Sequence, residues 1–281
     1  MTASYRKESN MKRCTRFWCV FLCTLIFACI FSVSTFAAGK SAICTDGASA
    51  GYFTVQYKDA DNAKMKVGVT YNKETVYYNY VGGDTSSYTF TKGDGTYTIT
   101  LFLHVTGTSY TPVLTEKVTV KMGDSLAPYR ASTDEITFSK DDAVGRKASE
   151  LCSGLTDDES KVLAIHNFVA DTITYDYDFA RKVITGAVKT YVPDTSDILS
   201  SKKGICYDFS ALFAALCRSQ DIPCTIEKGF YCGGYHAWNK VYIDGYWYTL
   251  DLTMSSAFKN SDVEALADCI VHMTADSGYS Y

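Results

Sequence analysis

The chain has 281 residues, 47% of them hydrophobic and 21% charged, with a formal net charge of −4. That is enough chain for one large domain or two ordinary ones, with a normal globular composition. Lys and Arg do not cluster after residue 20, so nothing in the charge pattern favours nucleic acid or an anionic surface as a partner.

Residues 1–38 read as an export signal. Arg6, Lys7, Lys12, Arg13 and Arg16 precede an uncharged apolar run, Phe17 to Val33, and small residues follow at Ser34, Thr35, Ala37 and Ala38. This order fits a cleavable signal better than a membrane anchor, because no basic stop-transfer cluster follows the run. The expectation is a secreted or cell-surface protein with no stable membrane span after cleavage. Four of the 11 cysteines fall in this segment, leaving Cys44, Cys152, Cys206, Cys217, Cys224, Cys232 and Cys269. The odd number leaves at least one thiol without a partner in the chain. No Cys-x-x-Cys pair occurs among these seven, so a structural zinc site is not expected; no other metal and no cofactor is expected.

Residues 40–122 read as a small β-sandwich-like domain. Polar and apolar residues alternate in Tyr52–Tyr57, in Lys64–Tyr71 and in Tyr97–Val105, with the Thr, Tyr and Val content that a pleated surface prefers. Turn signals stand at Asp59 to Asn62, Gly82-Gly83-Asp84 and Gly93-Asp94-Gly95. The many tyrosines suit ordinary sandwich packing, with a glycan-binding face as the alternative. Residues 123–139 read as a linker, polar and carrying Pro128.

Helical spacing begins in the last segment, residues 140–281. Asp141 to Leu151 and Ser160 to Thr172 read as helices, the second with Asp157 or Asp158 as its cap and His166 on its apolar stripe, more a core or boundary residue than a catalytic one. Gly204 and Cys206 precede the stripe Phe209, Leu212, Phe213, Leu216 and Cys217, and Asp221-Ile222-Pro223 ends it. Cys206 therefore stands at a helix N-terminus. Unpaired backbone N–H groups and the macrodipole there favour a thiolate and could also stabilise an oxyanion. Gly204 is expected to let the backbone turn tightly into the helix.

Ala237–Ile243 and Tyr246–Asp251 flank Asp244-Gly245, the preferred pair for a type I′ hairpin turn. With those two residues as the loop, Ile243 pairs with Tyr246. Trp238 then falls opposite Asp251, and His236 opposite Thr253. His236 and Asp251 become diagonal neighbours on one face, within reach of each other. Cys206, His236 and Asp251 are thus the candidate nucleophile, base and orienting carboxylate.

Gly204-Ile205-Cys206-Tyr207-Asp208-Phe209-Ser210-Ala211-Leu212, Leu216, Asp221-Ile222-Pro223, His236-Ala237-Trp238, Trp247 and Asp251-Leu252-Thr253 resemble the transglutaminase-like superfamily of papain-like Cys-His-Asp enzymes, over roughly Asp141 to Thr253. The resemblance implies an α+β fold: a papain-like core with the Cys on a helix and the His and Asp on adjacent strands. It implies the same three roles for Cys206, His236 and Asp251. Asp251-Leu252-Thr253 departs from the more usual Asp-Pro-Thr but keeps the carboxylate and the hydroxyl. A side-chain oxyanion donor is expected upstream, with Tyr175 and Tyr191 as candidates. The implied activity is acyl transfer from an amide through a thioester, of protease or amidase type, on a protein or peptide substrate that is cell-wall associated in one version of this reading. Gln–Lys crosslinking and a non-catalytic cell-surface binding module are the alternatives.

Overall fold

A computed structural model describes residues 42–59, 64–80, 82–188, 191–231, 234–257 and 274–280. The export-signal segment, Cys232 and Cys269 lie outside the described residues, and the Asp59 to Asn62 turn lies mostly outside them.

The first half is mostly strand, with one short 3-10 turn at Ala48–Ala50: β1 (Ile43–Cys44), β2 (Tyr52–Val55), β3 (Met65–Tyr71), β4 (Glu74–Tyr80), β5 (Ser86–Thr89), β6 (Gly95–Thr106) and β7 (Ser109–Val120). They form a three-stranded sheet in the order β1-β2-β5 and a four-stranded sheet in the order β4-β3-β6-β7, all antiparallel. The period-two pattern explains the packing. On β6, Tyr97, Ile99 and Leu101 are buried. The intervening threonines look outward, where Thr96 and Thr100 meet Thr119 and Thr115 of β7 through hydroxyl contacts. Phe53 and Val55 from one sheet and Val67, Ile99 and Leu101 from the other share one apolar cluster, so the two sheets close on each other.

The β3–β4 hairpin turns at Asn72-Lys73, both with positive φ (47° and 73°). The two turn residues include no glycine, so no glycine signal marks the break between β3 and β4.

The second half supplies α1 (Ala143–Leu151), α2 (Asp158–Thr172), β8 (Thr174–Tyr175), α3 (Tyr177–Ile184), α4 (Thr195–Ser201), β9 (Lys203–Gly204), α5 (Cys206–Ser219), β10 (Cys224–Tyr231), β11 (Gly234–Ile243), β12 (Tyr246–Leu250), α6 (Leu252–Ala257) and β13 (Thr274–Ser280). The fold is α+β. Strands β12-β11-β10-β13 form an antiparallel sheet, and β8 pairs with β9 in parallel. Asp142 caps α1 through Gly145 N–H, and Asp157 caps α2 through Ser160 N–H.

Helix α5 is the centre of this half. The stripe Phe209, Leu212, Phe213, Leu216 and Cys217 is fully buried, but so is the rest of the helix from Asp208 to Ser219. Helices α1, α2, α4 and α6 and strands β10 and β11 enclose it. Ala211, Ala214 and Ala215 fill the opposite face, and small side chains there let neighbours approach closely. Two of the buried polar side chains donate to backbone carbonyls: Arg218 to the Cys224 and Ala131 carbonyls, and Asn239 Nδ2 to the Ser210 carbonyl at 3.0 Å. Cys217 is an enclosed core thiol. Among the described residues Cys44, Cys152, Cys206, Cys217 and Cys224 are all free thiols.

Residues 123–139, read as a linker, are tied to both halves. Ile136 is completely buried in the helical cluster, Asp134 accepts the Ser87 N–H at 2.8 Å, and Glu135 pairs with Lys228 at 3.3 Å. Tyr78 of β4 packs against both apolar clusters, and Lys40–Tyr281 is one compact unit. No helix among the described residues is long and apolar enough to cross a membrane.

Candidate active site

Cys206 is the first residue of α5 and Ile205 is its N-cap. Asp208, the third helical residue, reaches back to accept the Ile205 N–H at 2.7 Å with one carboxylate oxygen. This is half of a capping box, the half that an isoleucine at the cap position leaves available. The other carboxylate oxygen accepts the Tyr191 hydroxyl at 2.5 Å. Asp208 is only 1% exposed. Burial pushes its carboxyl above the ordinary range, against the pull of those two hydrogen bonds.

Gly204 does not have positive φ, contrary to the expectation of a tight turn. It is needed for space instead: a Cβ there would lie 2.4 Å from Asp208 Cβ. The glycine therefore makes room for the carboxylate that fixes the start of α5.

The β11–β12 hairpin has the register that Asp244-Gly245 dictates. Both residues have positive φ (49° and 92°), as a type I′ turn requires, and Ile243 pairs with Tyr246 and Asn239 with Leu250. The pairing stops there. The sequence had placed Asp251 and Thr253 on the returning strand, opposite Trp238 and His236; the chain instead leaves the sheet after Leu250 and enters α6. Asp251 Oδ1 accepts the Thr253 and Met254 N–H groups, both at 3.0 Å, and so caps that helix. Its other oxygen, Oδ2, lies 2.7 Å from His236 Nε2. One buried carboxylate thus starts a helix and grips the imidazole.

The Asp251 side chain is 1% exposed and that of His236 is 15% exposed. The Cys206 thiol is a second partner of the same ring. Burial by itself would lower the His236 pKa. The bonds to Asp251 and then Cys206 override it and hold the imidazolium up to about 10. The structure brings Cys206, His236 and Asp251 together. With Nε2 committed to Asp251, Nδ1 is the nitrogen left to face the sulfur.

The two tyrosine candidates part company. The Tyr191 hydroxyl is committed to Asp208. Tyr175 pairs with Gly204 across β8 and β9, and Cys206 is the charge-bearing group that acts most strongly on its phenol. Burial and then Cys206 push that phenol up to about 12, so it remains a hydrogen-bond donor. Asp208 and Tyr191 as a pair escaped the sequence reading. An Asp two positions after the Cys, at N3 of its helix, was the available signal.

Cys206 and His236 open onto a cavity of about 790 Å³ that Tyr77, Tyr78 and Tyr88 of the β-rich half also line, a size ordinary for ligand sites. Among the described residues no group of three or more His, Cys, Asp or Glu is placed to hold a metal ion.

Residues 146–252, which include Cys206, His236 and Asp251, match the Transglutaminase-like superfamily. This stretch is a transglutaminase-like domain. The mouse kyphoscoliosis peptidase is 29% identical over 138 residues, covering 45% of this chain and 20% of the peptidase. The chain therefore spans about a fifth of that relative's length. Among solved structures, a candidate cysteine protease from Cytophaga hutchinsonii is 18% identical with a TM-score of 0.41, covering 72% of this chain and 71% of that one. The periplasmic domain of TgpA from Pseudomonas aeruginosa is 12% identical with a TM-score of 0.38, covering 79% of this chain and 96% of that one. The transglutaminase-like domain thus holds all three residues of the site, while β1 to β7 precede it.

Proposed function

We propose that this protein is an exported cysteine-dependent acyl-transfer enzyme that hydrolyses amide bonds in a protein or peptide substrate. The reading rests on one observation: a buried carboxylate 2.7 Å from His236 Nε2, with the Cys206 thiol on the same ring. An imidazolium held up to about 10 is the counter-ion that a reactive thiolate needs at neutral pH.

In this mechanism the Cys206 thiolate attacks the amide carbonyl carbon and a C–S bond forms. The carbonyl oxygen becomes an oxyanion, facing the Cys206 backbone N–H, one of the helix-start donors without an intrahelical acceptor. Tyr175, whose phenol keeps its proton, is the side-chain donor assigned to assist. As the C–N bond breaks, His236 gives its proton to the leaving amine and a thioester remains. Neutral His236 then takes a proton from water, hydroxide adds to the thioester, and the acid and thiolate are released. Asp251 keeps the ring oriented throughout. A lysine amine in place of water would give a crosslink by the same steps.

The test is to incubate the protein and its Cys206→Ala variant with a library of unlabelled peptides and follow product masses. New chain ends from the wild type alone support hydrolysis. Joined peptides with loss of ammonia turn the assignment to crosslinking. Identical product spectra from the two proteins would remove the enzymatic reading and leave a binding module. The export reading is tested by determining the N-terminus of the protein recovered from outside the cell.

A further inference from the structure

The cavity at Cys206 and His236 has walls from both halves of the chain, and their chemistry is uneven. Four large apolar side chains on its rim stand partly in solvent: Tyr77 is 44% exposed, Ile184 84%, Val192 36% and Tyr235 54%. Exposed apolar groups gathered around one opening mark a surface that is covered in use. The charged lining groups, in contrast, are already engaged. Lys228 Nζ lies 3.3 Å from Glu135 and 3.8 Å from the centre of the Tyr207 ring. Asp134 accepts the Ser87 N–H at 2.8 Å, and Lys66 lies over the Tyr110 ring at 5.6 Å. A charged substrate group entering here would lose its water and break an existing pair to gain a partner. An apolar group would lose nothing and would cover the rim.

We propose that this cavity accepts an uncharged peptide segment with a bulky aromatic or aliphatic side chain beside the amide attacked by Cys206, and that β4 of the β-rich half supplies the selecting wall through Tyr77. The inference rests on the acyl-transfer reading above. It assigns β4 a part in substrate choice that the catalytic residues do not require.

The experiment uses three peptidyl acyloxymethyl ketones that differ only in one side chain, Phe, Asp or Lys. The thiolate forms a bond to the probe's methylene carbon as the carboxylate leaves, so the labelling rate reports binding and attack together. The Phe probe is expected to label at least tenfold faster than the other two. In the Tyr77→Ala/Ile184→Ala double variant, both sites being on the exposed rim, the preference falls toward equality, and Tyr77→Phe retains it. Equal rates for the three probes with the wild type, or faster labelling by Asp or Lys, would overturn the neutral apolar assignment. A Phe preference untouched by the double variant would overturn the role of β4. Iodoacetamide, which has no side chain to recognise, separates the two readings. Failure to alkylate Cys206 at mildly acidic pH would remove the nucleophile itself, and with it the basis of this inference.

Discussion

Replacing Asp251 with asparagine tests the electrostatic core of the site. The amide of the variant would keep an oxygen for the Thr253 and Met254 N–H groups, so α6 retains its cap. What is lost is the negative charge 2.7 Å from His236. The His236 pKa rises from 6.5 to about 10 in the folded protein. At about 1.4 kcal/mol per pH unit this corresponds to a total on the order of 5 kcal/mol. The Asp251 bond is the largest of the causes that raise it. The sign follows from linkage. A ring that binds its proton more tightly when folded contributes its full stability below pH 6.5. That contribution is lost as pH rises through 10. Asp251→Asn should therefore be most destabilising near pH 6, by several kcal/mol, as expected for breaking a buried pair. The deficit should shrink steadily toward pH 10. Urea unfolding followed by tryptophan fluorescence at pH 6, 8 and 10 measures it. Taking the variant against the wild type at each pH cancels lysine and tyrosine titrations common to both. A deficit that stays constant over this range would refute the ion pair as the source of the His236 shift.

Gly204→Ala should destabilise by about 1–3 kcal/mol, because its methyl would collide with Asp208 Cβ at 2.4 Å. Thermal melting should register a drop of several degrees, with reduced alkylation of Cys206 as the helix start shifts. Leu212→Ala, at a fully buried position on α5, should cost about 2–5 kcal/mol in a denaturant titration. Leu163→Ala, at 58% exposure on α2, should stay within about 0.5 kcal/mol. A reversal of that order would contradict the burial of α5.

Whatever depends on near neighbours in the chain was legible from residue order alone. Asp244-Gly245 fixes the hairpin register, because a type I′ turn needs two residues tolerant of positive φ and leaves no freedom in the pairing that follows. The apolar spacing from Phe209 to Cys217 fixes a helix, and its start puts Cys206 at the N-terminus. The remainder came from packing. Asp251 reaches His236 from a helix cap rather than from a strand, because α6 packs on α2 and α5 and draws the chain out of the sheet after Leu250. The burial of α5 on every side depends on six elements converging, which no periodicity within one helix can encode. The cavity joins Tyr77 to Cys206 and Glu135 to Lys228, residues separated by about a third to nearly half of the chain. Contacts at that range arise when elements distant in the chain pack against each other, and a local pattern of residues does not record which surfaces those will be.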